Sequence, residues 1–229
     1  MNQTDWSKLQ ESLDTVGIAR VSNVLSAESC QAIIDLYKRE ELFRSTIQMQ
    51  RYRFGLGEYK YFAYPLPPLI QSLREEFYKP LVSVANNWMT RLGIKMTYPE
   101  ALPEFLSVCH LQNQQRPTPL ILRYEAGGYN TLHQDIYGDV YFPFQVVFML
   151  TQKGKDYEGG ELVFVEQLPR AQSRAEVVNP DQGDAVIFTT NFRPVQGSKG
   201  YYRARMKHGV SPVKSGKRYT MGLIFHDAS

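Results

Sequence analysis

Residues 119–135 read PLILRYEAGGYNTLHQD, and the chain changes character there. Before Pro119 apolar residues recur at the spacing of helices buried on one side; after it they come in short β-branched and aromatic runs broken by glycine and proline. The later runs are FPFQVVFMLT (142–151), GELVFV (160–165), AEVV (175–178), GDAVIFT (183–189), HGVSPV (208–213) and RYTMGLIF (218–225). Seven or eight short strands with Gly-rich turns predict a sandwich or barrel, with the preceding helices packed on one sheet.

The same stretch carries chemistry. Of the four histidines, His133 stands two residues from Asp135, and His208 lies 73 residues beyond Asp135. Strands distant in sequence can be neighbours in a barrel. Two imidazoles and one carboxylate on one face of an octahedral metal leave the opposite face open for a bidentate 2-oxo acid and dioxygen, as in non-haem Fe(II) oxygenases. An H-x-D pair is weak alone, since 4 His and 9 Asp in 229 positions give roughly 0.16 accidental pairs. Its surroundings strengthen it. Arg218 follows His208 by ten residues, and a buried strand arginine needs an anion, which its planar guanidinium binds through two parallel hydrogen bonds. The distal carboxylate of 2-oxoglutarate would serve; the plain alternative is a surface arginine beside Lys214 and Lys217. Thr220 shares the strand face of Arg218 by the period of two and could add a hydrogen bond. His110 and His226 read as structural: His226 and Asp227 are adjacent, point to opposite strand faces and cannot both reach one metal.

Upstream, Ser26 reads as the N-cap of a helix through AESCQAIIDLYKREELF (27–43). A second helix is expected through LIQSLREEFYKPLVSVANNWMTRLG (69–93), kinked or divided at Pro80. Between them MQRYRFGLGEYKYFAYPLP (49–67) sets six aromatic residues among Arg51, Arg53 and Lys60, a loop or hairpin with a stacking surface. Arg51, Tyr52, Arg53, Tyr59 and Tyr61 could stack a base and neutralise phosphates. They could equally cover the mouth of a small-molecule pocket or pack on the sheet.

A chain of 229 residues with 43% hydrophobic, 13% aromatic and 21% charged residues is globular, and neither collagen-like nor disordered. Its two cysteines, Cys30 and Cys109, cannot build a disulfide scaffold or a four-thiolate zinc site. No apolar run is long enough to span a bilayer, and MNQTDWSKLQESLD lacks a secretory pattern, so a cytoplasmic protein with no membrane partner is expected. The net charge is only +3, yet residues 185–226 contain eight Lys and Arg and no acid. Such a segment is a solvated basic face or a site for an anionic ligand or polymer.

The chain resembles the 2-oxoglutarate and Fe(II)-dependent oxygenase superfamily. RYEAGGYNTLHQD (123–135) is similar to the corresponding stretch of AlkB-type nucleic-acid demethylases, with Tyr124 nine residues before His133, where those enzymes place a tyrosine on 2-oxoglutarate. YEGGELVF, GDAVIF and HGVSPVKSGKRYTMGLIF are similar to prolyl-hydroxylase-type members, whose second metal histidine and cosubstrate arginine lie in H-x-V-x-P-V-x-x-G-x-R. FRSTIQMQRYRFGLGEYKYFAYPLP (43–67) and CHLQNQQRPTPL (109–120) resemble a bacterial oxygenase family described as acting on damaged nucleic acid. Leu122 and Ile224 depart from AlkB-type enzymes, which carry asparagine and a second arginine at these positions.

The resemblance implies a mainly β protein with N-terminal helices, a double-stranded β-helix or jelly-roll barrel of the cupin kind. The expected organisation is one oxygenase domain over residues 1–229, with 1–118 mostly helical support and substrate-loop region and 119–229 the barrel core. Implied cofactors are Fe(II) on His133, Asp135 and His208, 2-oxoglutarate on Arg218, Tyr124 and Thr220, and dioxygen. Three substrate classes stand in order: alkylated nucleic acid undergoing oxidative demethylation, a prolyl or other peptidyl residue, and a small metabolite. A non-catalytic barrel that only binds comes last. For nucleic acid, Arg193, Lys199, Arg203 and Arg205 would meet phosphates, and Arg51, Tyr52, Tyr59 and Tyr61 would line the path of the base.

Overall fold

The computed structural model describes residues 4–229. Helix α1 (Trp6–Val16) starts at Asp5, whose carboxylate accepts from the Lys8 backbone N–H, and stops at Gly17, whose φ of 77° lets its N–H reach Leu13 O at 2.9 Å. A Cβ there would meet Met206 Sδ at 2.5 Å. Strand β1 (Ile18–Val21) follows, and α2 (Ala27–Leu36) begins at the expected Ser26 cap. This helix does not run on to Phe43. The Tyr37 carbonyl accepts from Lys60 Nζ at 3.1 Å, a 3-10 turn spans Glu40–Leu42, and Phe43 opens β2 (Phe43–Gln48).

The aromatic segment is not a loop either. After a 3-10 turn at Met49–Tyr52 it supplies β3 (Gly55–Leu56) and β4 (Glu58–Phe62), which pair with different sheets. Helix α3 (Pro68–Arg91) continues through Pro80, so of the two expectations, a kink or a division, the division does not occur. The carbonyl that Pro80 leaves without a helical donor belongs to exposed Glu76, where water can satisfy it. Helix α4 (Leu102–Leu111) completes the helical layer.

The remaining strands are β5 (Leu120–Tyr124), β6 (Tyr129–His133), β7 (Phe144–Met149), β8 (Tyr157–Gly159), β9 (Leu162–Gln167) and β10 (Arg174–Val178). After them come β11 (Ala185–Thr189), β12 (Phe192–Gly197), β13 (Gly200–Val210), β14 (Val213–Gly216) and β15 (Arg218–Ile224). The major sheet runs β1-β11-β7-β15-β5-β4-β2, and the minor sheet β10-β9-β13-β6-β3 with β12 also on β13. β8 and β14 form a separate pair. The chain is therefore the expected mainly β jelly-roll, but the boundary at residue 118 is not a boundary of the sheets: β1, β2 and β4 are strands of the major one.

Every residue of β7 is buried because each of its faces meets a different layer. Phe144, Val146 and Phe148 join the cluster that packs α3 and α4 on the major sheet, with Phe77 edge-on to Phe148 at 5.3 Å. Val147 and Met149 point the other way, into the space between the sheets, with Phe164, Phe188 and Met206. β15 divides likewise: Met221 and Leu223 face the helices, while Arg218, Thr220, Gly222 and Ile224 line the interior.

Candidate active site

His133 ends β6 and His208 lies directly opposite on antiparallel β13, which brings the two imidazoles together with ring centres 4.2 Å apart and planes tilted by 49°. Asp135 follows His133 by two residues and turns toward the same side. Its Oδ2 lies 3.1 Å from His208 Nε2 and its Oδ1 3.5 Å from His133 Nε2. One candidate ligand atom from each of the three falls within 4.8 Å of the others, the only such group with metal-holding spacing among the described residues. His133 Nδ1 donates to Thr131 O at 2.7 Å, which leaves Nε2 its lone pair toward the cavity. Gln134, between them, points away and donates to Asn191 O and Met206 O, both at 2.8 Å, fastening the turn to β13.

Burial works against an ionised Asp135, but the neighbouring His133 and His208 imidazoles outweigh it and hold the carboxyl well below the usual carboxylate range. Burial, reinforced by His133, lowers the His208 pKa against the pull of Asp135. Neutral imidazole and ionised carboxylate are the forms that bind a metal.

The group opens into a cavity of about 200 Å³ between the sheets, and Arg218 lines it. Arg218 is fully buried; among the described residues its Nε and Nη1 have no hydrogen-bond partner and its Nη2 meets only Met149 Sδ at 3.9 Å, and the hydroxyl of Tyr124, its register partner on β5, has none either. The guanidinium lies 5.6 Å from the Tyr124 ring centre and 5.9 Å from that of Tyr157. A buried guanidinium without an anion costs several kcal/mol, so the pocket fits a carboxylate. Gly160, at φ 62°, gives the side chain room: a Cβ there would stand 2.8 Å from Arg218 Cδ. Buried Thr220 lies two residues on, in the same cavity wall.

The residues expected to meet a substrate divide. Tyr59 and Tyr61 line the cavity, their rings edge to face at 5.3 Å. Tyr52 is exposed and stacks on Phe54 at 5.5 Å and 18°, and Phe54 is part of the cavity wall. Arg51 and Arg53 are exposed and are not among the lining residues. Arg203 and Arg205 do not reach the cavity, because alternation along β13 sends Ala204, Met206 and His208 inward and the arginines outward. Arg193 is buried against Glu166 at 2.6 Å and donates to Asp14 O, so it is structural rather than a phosphate contact. Of the acid-free segment, Arg193 and Arg218 are buried, while Arg203, Arg205 and Lys207 share the outward face of β13.

His110 and His226 stay outside the metal group. His110 Nε2 meets Asp227 Oδ2 at 2.9 Å beside the buried Arg74–Asp227 ion pair, and buried His226 accepts from the Phe142 N–H through Nδ1. Two cavity residues were not anticipated. Tyr137 donates its hydroxyl proton to Asp135 Oδ1 at 2.6 Å, and Gln145 presents a buried side-chain nitrogen without a partner. The signals were there: Tyr137 repeats the two-residue spacing after Asp135, and Gln145 is a lone polar residue inside FPFQVVFML.

The description of the family whose model matches residues 57–228 is "Oxygenase, catalysing oxidative methylation of damaged DNA". An uncharacterized protein of Mycobacterium tuberculosis is 45% identical over 168 residues, 73% of this chain and 72% of that protein. The fold is similar to that of a Pseudomonas putida prolyl-4-hydroxylase, with a TM-score of 0.60 and 13% identity over 98% of this chain and 99% of that one. It is also similar to that of a 2OG-Fe(II) oxygenase family oxidoreductase from Burkholderia pseudomallei, with a TM-score of 0.58 and 14% identity over 100% of this chain and 94% of that one. With about three quarters of its length matched by the family model, the chain belongs to this oxygenase family, built on the fold of the 2-oxoglutarate and Fe(II)-dependent oxygenases.

Proposed function

We propose that the chain is a 2-oxoglutarate-dependent dioxygenase in which His133, Asp135 and His208 hold Fe(II), Arg218 and Tyr124 bind the distal carboxylate of 2-oxoglutarate, and Thr220 adds a contact. The observation that carries the reading is the buried, unpaired guanidinium of Arg218 in the same cavity as the His-Asp-His group. When bound, iron and 2-oxoglutarate supply the oxidation of a substrate C–H bond to C–OH by dioxygen, releasing succinate and CO2. The chain's own share is geometry. The β5–β15 pair fixes the anion site, the β6–β13 pair fixes the ligands, and the apolar wall between them keeps water away.

For the substrate we favour damaged nucleic acid, where hydroxylation of an N-methyl group lets the carbon leave as formaldehyde. The family description and the exposed Tyr52–Phe54 stack at the cavity wall support it, since aromatic faces accept flipped bases. A peptide is the second reading, supported by the likeness to a prolyl-4-hydroxylase fold and by the outward position of Arg203 and Arg205. Succinate release across methylated single-stranded oligonucleotides, proline-containing peptides and amino acids separates the classes. Nucleic-acid binding should weaken with salt, with a log–log slope of about −0.7 per phosphate contacted. A flat salt response together with turnover of a peptide would replace the first reading by the second.

A further inference from the structure

We propose that Tyr137, held in turn by Tyr61, is a positioning residue that reserves one oxygen of Asp135 for the metal. The inference rests on reading His133, Asp135 and His208 as ligands. Tyr137 donates to Asp135 Oδ1 at 2.6 Å, while Oδ2 is the oxygen beside His208. Tyr61 donates to the Tyr137 oxygen at 3.0 Å, so the Tyr137 hydroxyl has its acceptor role filled and its single proton directed at the carboxylate.

The segment that carries Tyr137 has no regular structure, yet it is clamped. Buried Gln114 donates to Val140 O at 2.8 Å and accepts from Val140 N at 2.9 Å, and the Ser229 N–H reaches Tyr137 O at 3.2 Å. Gly138, at φ 149°, lies so close to Gln114 that a Cβ would meet it at 2.3 Å. The phenol is therefore delivered by a fixed backbone rather than by a free loop.

The chemical consequence is a count of open positions. A carboxylate that donates one oxygen leaves three of six positions free, enough for a two-toothed 2-oxo acid and dioxygen; one that donates both leaves only two. The hydrogen bond from Tyr137 favours the first arrangement, and partners of this kind alter metal affinity by roughly 10- to 100-fold.

The test is an anaerobic titration of the full chain with Co(II), whose visible absorption reports coordination, in wild type, Tyr137→Phe, Tyr61→Phe and Asp135→Ala, with circular dichroism to confirm folding. Tyr137→Phe keeps the ring and should weaken Co(II) binding roughly 10-fold and change the intensity of its visible bands. Tyr61→Phe should give the same spectral change, only smaller. Wild-type affinity and spectrum in Tyr137→Phe, with binding lost in Asp135→Ala, would overturn this inference alone. Full binding in Asp135→Ala would overturn the metal reading and the inference together.

Discussion

Arg218 and Gln145 are both buried and both carry side-chain nitrogens without partners among the described residues, and they call for opposite expectations. Arg218→Lys keeps the charge but loses the planar fork, so 2-oxoglutarate affinity measured by calorimetry should fall by roughly 1.5 to 3 kcal/mol, the range for hydrogen bonds to charged groups. An unchanged dissociation constant would move the anchor elsewhere. Gln145 pairs in register with Phe188 and Ile224, six residues along β15 from Arg218. Gln145→Leu removes an amide with no hydrogen bond to lose, so thermal stability should rise, by on the order of 1 kcal/mol. A lower unfolding midpoint would mean that the amide has a partner in solution.

The turn between β8 and β9 sets the shape of the anion pocket. Gly160→Ala brings a Cβ against Arg218 Cδ and places a non-glycine residue at φ 62°, so 2-oxoglutarate affinity should drop while Co(II) affinity in its absence stays at the wild-type value. Joint loss of both would show that the turn supports the whole barrel. The elements that made the site legible in the sequence share one property: β5, β7, β11 and β15 are buried and read as apolar runs. β2, β6 and the first half of β13 are half-exposed and carry polar residues on their open faces, so they form no apolar run. The ligands were legible because two-residue alternation links His133 to Asp135 regardless of the fold around them. The outward turn of Arg203 and Arg205 was not, because β13 begins at Gly200, in a stretch that carries no apolar run.

Across the whole molecule, the C-terminal end of β15 ties helices to barrel through a polar knot. Arg74 on α3 donates to Ile224 O, Phe225 O and the Asp227 carboxylate, all of it buried. His226 sits inside this knot, and burial together with the Arg74 charge lowers its pKa to about 4. An unfolded imidazole titrates near 6.5, so below about that pH the unfolded chain takes up a proton that the folded one refuses. This contribution is complete above about pH 6.5 and is lost on the way down to about 4, amounting to on the order of 3 kcal/mol. Urea midpoints of the metal-free protein should fall between pH 7 and 5, and His226→Leu should flatten that fall. The two-faced β7 bears on how such a chain can diverge. Phe144, Val146 and Phe148 belong to the helix-side core, although Val146 also borders the cavity, while Gln145, Val147 and Met149 face the space between the sheets. A library randomised at the second three should still yield soluble protein with altered substrate choice, whereas one randomised at the first three should yield aggregates. Selection can thus rewrite what the pocket accepts while the scaffold drifts on its own schedule.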